Sequence, residues 1–122
     1  MSITMTESQL IEQLENTPEN VAFDQVLSVI TENYDYQATR FTNGVDDSMA
    51  VNEAGTNEGS CKLFSFGLLK QLSNAEMLAC FGKYYREDVL QNPEGTDHAN
   101  IRNFIKSGWD GIKFDQPALT EK

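Results

Sequence analysis

The chain has 122 residues, 39% of them hydrophobic, with seven phenylalanines, four tyrosines and one tryptophan, which is enough for one domain with a real core. The net charge is −10 and lies entirely in residues 1–60, where eleven acids face the single base Arg40, while residues 61–122 carry eight of each sign. That balance excludes nucleic acid and anionic membrane as partners, because neutralising phosphates needs clustered Lys and Arg; the two cysteines are too few for a disulfide scaffold.

No apolar run approaches the roughly 18 residues needed to span a bilayer. MSITMTESQL has no basic stretch followed by an apolar block, so no export signal is read and a cytoplasmic monomer is expected. Met1 and Met5 both stand as candidate starts.

Thr6-Glu7-Ser8-Gln9 has capping-box form, with Leu10, Ile11 and Leu14 on one face behind it, predicting a helix over about 7–16. Thr17-Pro18 reads as the cap and first-turn proline of a second helix carrying Phe23, Val26, Leu27, Ile30 and Tyr34. Periodicity is then lost from Asp35 to Gly59. A long ordered loop is expected there, pinned by Tyr36, Phe41, Met49 and Val51, with a weak signal for a strand pair around Asn43-Gly44.

Ser60 is read as the cap of a third helix with Cys61, Phe64, Ser65, Leu68 and Leu72 inward. Ser73-Asn74-Ala75-Glu76 is a second capping box, predicting a long fourth helix to about Gln91. Thr96 or Asp97 is read as the cap of a fifth helix through Ile101, Phe104 and Ile105, stopped by Gly108. Trp109, Ile112 and Phe114 form an apolar tail that folds back before a frayed polar end. The resulting expectation is a single all-α domain spanning 1–122, its core at about 18–115. About five helices make it up, with the loop at about 35–59 packed over the helix N-termini.

The mixture in Asn52–Lys62, NEAGTNEGSCK, singles out a site. Cys61 falls in the first helical turn, where the dipole favours a thiolate, and His98 could serve as base with Asn57 or Asp97 as orienter, the arrangement of thiol enzymes acting on acyl or thioester substrates. The same position also fits a packed core cysteine, since Cys61 is in phase with Phe64 and Leu68. An anion site is the other candidate: Arg86 and Arg102 suit bidentate capture of carboxylate or phosphate, and the Gly59-Ser60 helix start offers free N–H groups. Asn43, Asn52, Asn57, Ser60, Lys62, Arg86 and Arg102 are the expected ligand-binding residues, with His98 beside them. The competing reading is that Glu87, Asp88 and Asp97 pair with the arginines and lock the loop down. Asp46, Asp47, Glu53 and Glu58 could join Asp97-His98 as hard ligands, but EF-hand spacing is missing, and no metal or other cofactor is expected.

Five ordered blocks, FTNG at 41–44, NEAGTNEGSCK at 52–62, FGKYYREDVL at 81–90, GTDHANIRNFIKSGW at 95–109 and GIKF at 111–114, resemble the HopJ family over about Phe23 to Leu119. That family is named for a type III secretion effector of a plant-pathogenic bacterium. The resemblance implies a small bacterial protein with no catalytic residues to carry over, and it admits secretion and action on a host protein. The residues themselves favour a non-enzymatic protein binding a small anionic ligand or a protein partner, with the Cys61 enzyme as the alternative.

Overall fold

The computed structural model describes residues 6–122; Met1 and Met5 lie outside them. Helix α1 (Glu7–Asn16) opens on the expected box: the Thr6 side chain accepts from Gln9 N at 3.1 Å, and the Gln9 side chain accepts from Thr6 N at 2.9 Å. Leu10 and Leu14 enter the core. The single second helix predicted from Thr17 is in fact two pieces. Pro18–Asn20 makes one 3₁₀ turn, the chain extends through Val21 and Ala22, and α2 (Phe23–Asn33) starts afresh. The guanidinium of Arg86 holds this break, donating to Val21 O at 2.8 Å and Pro18 O at 3.4 Å.

The all-α expectation is overturned by two small antiparallel sheets. In one, β1 (Tyr34–Tyr36) pairs with β5 (Leu119–Glu121), so the end expected to fray is a strand, and Ala118 and Leu119 are buried. In the other, β2 (Phe41–Asn43) lies between β3 (Ala50–Asn52) and β4 (Lys113–Phe114). The stretch expected as loop therefore holds three strands. At three residues each, they are too short to show the alternation that marks a strand. Phe41 pins this region from full burial, whereas Met49 and Val51 are about half exposed.

Helix α3 (Glu58–Lys70) is the central element. It is buried on more than one face, with Leu63 and Phe66 as enclosed as Cys61 and Phe64, while Leu68, expected inward, is about half exposed. Phe64 is its hub, with ring centroids 5.3 Å from Phe104, 5.4 Å from Phe81, 6.0 Å from Phe41 and 6.4 Å from Trp109. Trp109 folds back as expected, its indole N–H donating to Leu72 O at 2.8 Å.

The Ser73–Glu76 box opens α4 as predicted, but α4 (Asn74–Ala79) ends early rather than running to Gln91. Gly82 adopts φ +60°, and the chain continues as a π-helical segment, Tyr84–Val89. Helix α5 (Ala99–Ser107) follows, ended by Gly108. One charged group ties the two ends of the first layer: Lys70 Nζ lies 2.6 Å from Glu7 Oε1 and the Tyr34 hydroxyl donates to Glu7 Oε2 at 2.5 Å. Burial alone raises the Glu7 pKa, yet these two donors outweigh it and the net shift is downward. No helix among the described residues is long and apolar enough to cross a membrane.

Candidate functional site

The two helix starts that sequence pointed to do converge, but neither is built as expected. A helix is ordinarily capped by a side chain that covers its free N–H groups, as Thr6 and Ser73 do here. The residue before α3 is Asn57 rather than Ser60, and the residue before α5 is His98 rather than Thr96 or Asp97. Both are left-handed, with φ of 49° and 52°, and neither side chain caps its helix. Asn57 is a residue type well suited to capping, yet its amide is turned away and donates to Asn52 Oδ1 at 2.7 Å.

Both uncapped starts line one hollow of about 490 Å³. Gly59 and Ser60 come from α3, Ala99 and Asn100 from α5, and Asn52 from β3. Phe23, Tyr84 and His98 form an aromatic wall, and Phe81 and Ile101 close the floor. The volume is in the range of small-molecule sites.

Beneath the hollow lies a network of buried amides. Asn52 and Asn100 bond reciprocally, each amide donating to the other's Oδ1 at 3.1 and 3.0 Å. Asn43 donates to the Asn100 carbonyl at 2.7 Å and to its Oδ1 at 3.0 Å. Asn103 donates to Asn43 O at 3.1 Å. The network ties β2, β3 and α5 together through side chains that are neutral and nearly sealed from water. Asn43 is therefore structural: it is fully buried below the site instead of lining it. Asn100, which ties the whole network together, was missed. Its signal lay in DHANIRN, where Asn100, in the first turn of a helix, stands three residues before Asn103 and so on the same face.

His98 is held at the rim by two contacts from the π-helical segment. Its Nε2 lies 3.0 Å from Asp88 Oδ2, and its ring packs on Tyr84 with centroids 5.3 Å apart. Tyr84 and Asp88 stand four residues apart on one face of this segment and so reach the same histidine, and π turns recur at functional sites. Asp97, one of the two expected orienters, is farther, at 3.8 Å, and is committed elsewhere. Arg102 Nη2 donates to its Oδ1 at 2.6 Å and holds its carboxyl below the usual range.

The remaining candidates are elsewhere. Arg102 also binds the carbonyls of Asn92 and Asp97, so it locks a turn rather than facing the hollow. Arg86 is likewise spent on backbone carbonyls. Lys62 sits 4.7 Å over the Tyr36 ring, and Arg40 reaches Glu53 and Asp115 at the surface. Of the expected locking pairs only Asp97–Arg102 forms among the described residues; Arg86 and Arg102 hold other turns than the 35–59 stretch, mostly through carbonyls, and it is Arg40 that pairs with carboxylates. Among the described residues no group of three or more His, Cys, Asp and Glu could hold a metal ion.

Cys61 is 1% exposed, and its thiol points to Thr39 O at 3.6 Å, away from the residues of the hollow. Burial pushes its pKa up, with a backbone hydrogen bond from Thr39 and the Tyr36 side chain only partly offsetting it. Cys80 is enclosed in the core and pushed up to about 12 by burial. Neither is an activated thiolate. Alkylation of the native protein at neutral pH is expected to leave both unmodified, and both should react once it is denatured. Selective native labelling of Cys61, read by mass spectrometry, would contradict this burial.

The HopJ family profile, described as "HopJ type III effector protein", matches residues 7–119. The chain belongs to the HopJ family. A crystal structure of a protein of unknown function, VPA0580, is similar over 100% of this chain and 98% of its own, with 47% identity and a TM-score of 0.92. No curated protein matches the chain with significant similarity.

Proposed function

We propose that this HopJ protein is a non-enzymatic binder of a small carboxylate, held in the hollow between the starts of α3 and α5. The observation that carries the reading is the convergence of two helices, of thirteen and nine residues, whose first N–H groups have no side-chain cap, on one hollow. The positive end of a helix dipole and its free donors favour an anion, and here the side chains that would ordinarily cover them are turned away.

Magnitudes limit the ligand. No Lys or Arg lines the hollow, and the chain as a whole carries −10, so a polyphosphate has nothing to neutralise it. Each helix end contributes at most about 2 kcal/mol in a partly buried setting. Two such ends, with apolar contact on Phe23 and Phe81, give a total of about 4 kcal/mol, or roughly millimolar affinity for the smallest carboxylates. A larger ligand that fills the floor would bind more tightly.

The test is an amide chemical-shift titration with acetate. Shifts are expected at Glu58–Ser60 and Ala99–Ile101, with Arg86 and Arg102 unmoved, and Ser60→Leu, which fills the hollow, should weaken binding at least tenfold. Uniform small shifts across the surface would refute the site. The second reading, a protein partner, rests on Val45, Met49 and Val51, which are about half exposed in and before β3, Val51 also lining the hollow. The reading holds whether the protein acts in the cytoplasm or is delivered by a type III system, the route its family description names.

A further inference from the structure

We propose that His98, with its tautomer fixed by Asp88, makes anion binding in this hollow proton-linked, so that ligand binding draws a proton toward the imidazole. The inference rests on the carboxylate-binding reading and adds its regulation. It starts from which nitrogen is free. Nε2 is committed to Asp88 Oδ2 at 3.0 Å, and its next polar neighbour is Asp97 Oδ2 at 3.8 Å. Nδ1 has no partner among the described residues, and the side chain that carries it lines the hollow.

An ionised carboxylate only accepts hydrogen bonds, so Asp88 requires the proton of a neutral His98 to sit on Nε2. Nδ1 is then a bare lone pair, which repels an anion and welcomes a hydroxyl donor. In the imidazolium form both nitrogens carry protons. Nε2–H stays on Asp88 and Nδ1–H becomes a charged donor for the ligand. The Asp88 contact thus removes the tautomer in which a neutral His98 could donate to an anion from Nδ1. Without Asp88, a neutral histidine could turn its proton toward the ligand and the linkage would be weak.

The other groups facing His98 do not disturb this logic. Tyr84 packs against the ring, tilted by 39°, and presents no charge. Asp97 belongs to Arg102, whose guanidinium on α5 binds it at 2.6 Å. The lining residues of α3 and β3, Gly59, Ser60, Ala50, Val51, Asn52, are uncharged, as is the capping-position Asn57. Asp88 is therefore the nearer carboxylate whose charge the imidazolium balances, Asp97 at 3.8 Å being already paired with Arg102, and the bound ligand adds a further one.

The chain has a single histidine, so its imidazole C–H signals report on this group alone. The experiment follows the pH titration of those signals with and without saturating sodium acetate, with sodium chloride matching the ionic strength. Acetate stays ionised across the whole titration of the ring. Its presence is expected to move the His98 midpoint upward by about one unit, the equivalent of a tenfold preference for the protonated form. Acetate affinity read from the amides should then fall toward that tenfold limit between one pH unit below and one pH unit above the His98 midpoint measured in the same titration. In His98→Gln, whose fold is verified by its amide spectrum, affinity should be the same at both pH values. An unchanged midpoint, with Glu58–Ser60 and Ala99–Ile101 still shifting on acetate, overturns the proton linkage and leaves the binding site standing. The absence of any acetate shift at those amides at every pH overturns both.

Discussion

Asn100→Ala is expected to destabilise the protein by about 3 kcal/mol, measured as a lower midpoint of urea unfolding with an unchanged slope. The side chain of Asn100 makes three amide bonds: it accepts from Asn43 and Asn52 and donates to Asn52. At about 1 kcal/mol each, their loss sets the estimate. Two considerations adjust it in opposite directions. Asn52 is 3% exposed, and its Nδ2 is left as a buried donor with no partner, which adds to the cost. Against that, Asn100 borders the hollow, so water can enter the space and satisfy part of the network. Asn43 keeps its bond to the Asn100 backbone carbonyl in either case. Asn100→Asp separates the amide network from simple packing, because it conserves shape. The new carboxylate would face Asn52 Oδ1, an acceptor, across the distance now spanned by a hydrogen bond. Folding would then disfavour the ionised form. Relative to the parent protein, this variant should be least stable at neutral pH and recover as the pH falls and the carboxyl regains a proton to donate. A loss no greater than that of an ordinary surface substitution would show that the amides are not holding β2, β3 and α5 together.

The sequence read well wherever a feature repeats or is local. Both capping boxes are where Thr6-Gln9 and Ser73-Glu76 place them, because each is complete within four residues. The unusual backbone of Asn52–Lys62 was also legible, since so many Gly and Asn residues ahead of an apolar helix are costly unless the backbone needs them. What could not be read was long-range pairing. β1 finds its partner some eighty-five residues away at the chain end, and three residues per strand leave no periodicity to detect. Nor could sequence show that Asn57 and His98 are left-handed, which decides that they do not cap. Arg86 and Arg102 looked like ligand residues because guanidinium suits anions, but it suits strained carbonyls equally, and only the fold says which are near. For Cys61 the phase with Phe64 was the truer signal, although Leu68, read as in phase with both, is about half exposed. The helix-start position that favours a thiolate matters little when the sulfur is sealed from water.

Gly82→Ala is the substitution expected to cost most, about 4 kcal/mol, and it reaches the hollow without touching a residue's polar chemistry. Gly82 has φ +60°, where an L side chain costs roughly 1–2 kcal/mol. A Cβ there would sit 2.8 Å from the backbone nitrogen of Phe23, and 3.4 Å from Ala22 Cα and Val21 O. Those are main-chain atoms at the start of α2, and Arg86 holds the Val21 carbonyl against the same segment, so no flexible side chain can yield. Overpacking against such a wall adds about 1–3 kcal/mol. Gly55→Ala provides the internal control: its φ is +89°, but nothing lies within 4 Å of the added carbon. It should lose only the conformational part, about 1–2 kcal/mol. The difference between the two variants therefore measures the close approach itself. The clash also has a direction. Relieving it moves Phe23 outward, and Phe23 both lines the hollow and packs its ring against Tyr84, at 5.1 Å, and through Tyr84 on His98. Gly82→Ala should accordingly shift the imidazole signals of His98 in the folded protein, whereas Gly55→Ala should leave them in place. Equal losses in the two variants, with no change at His98, would mean that α2 gives way freely. The hollow would then lack the rigid wall that a preorganised site requires.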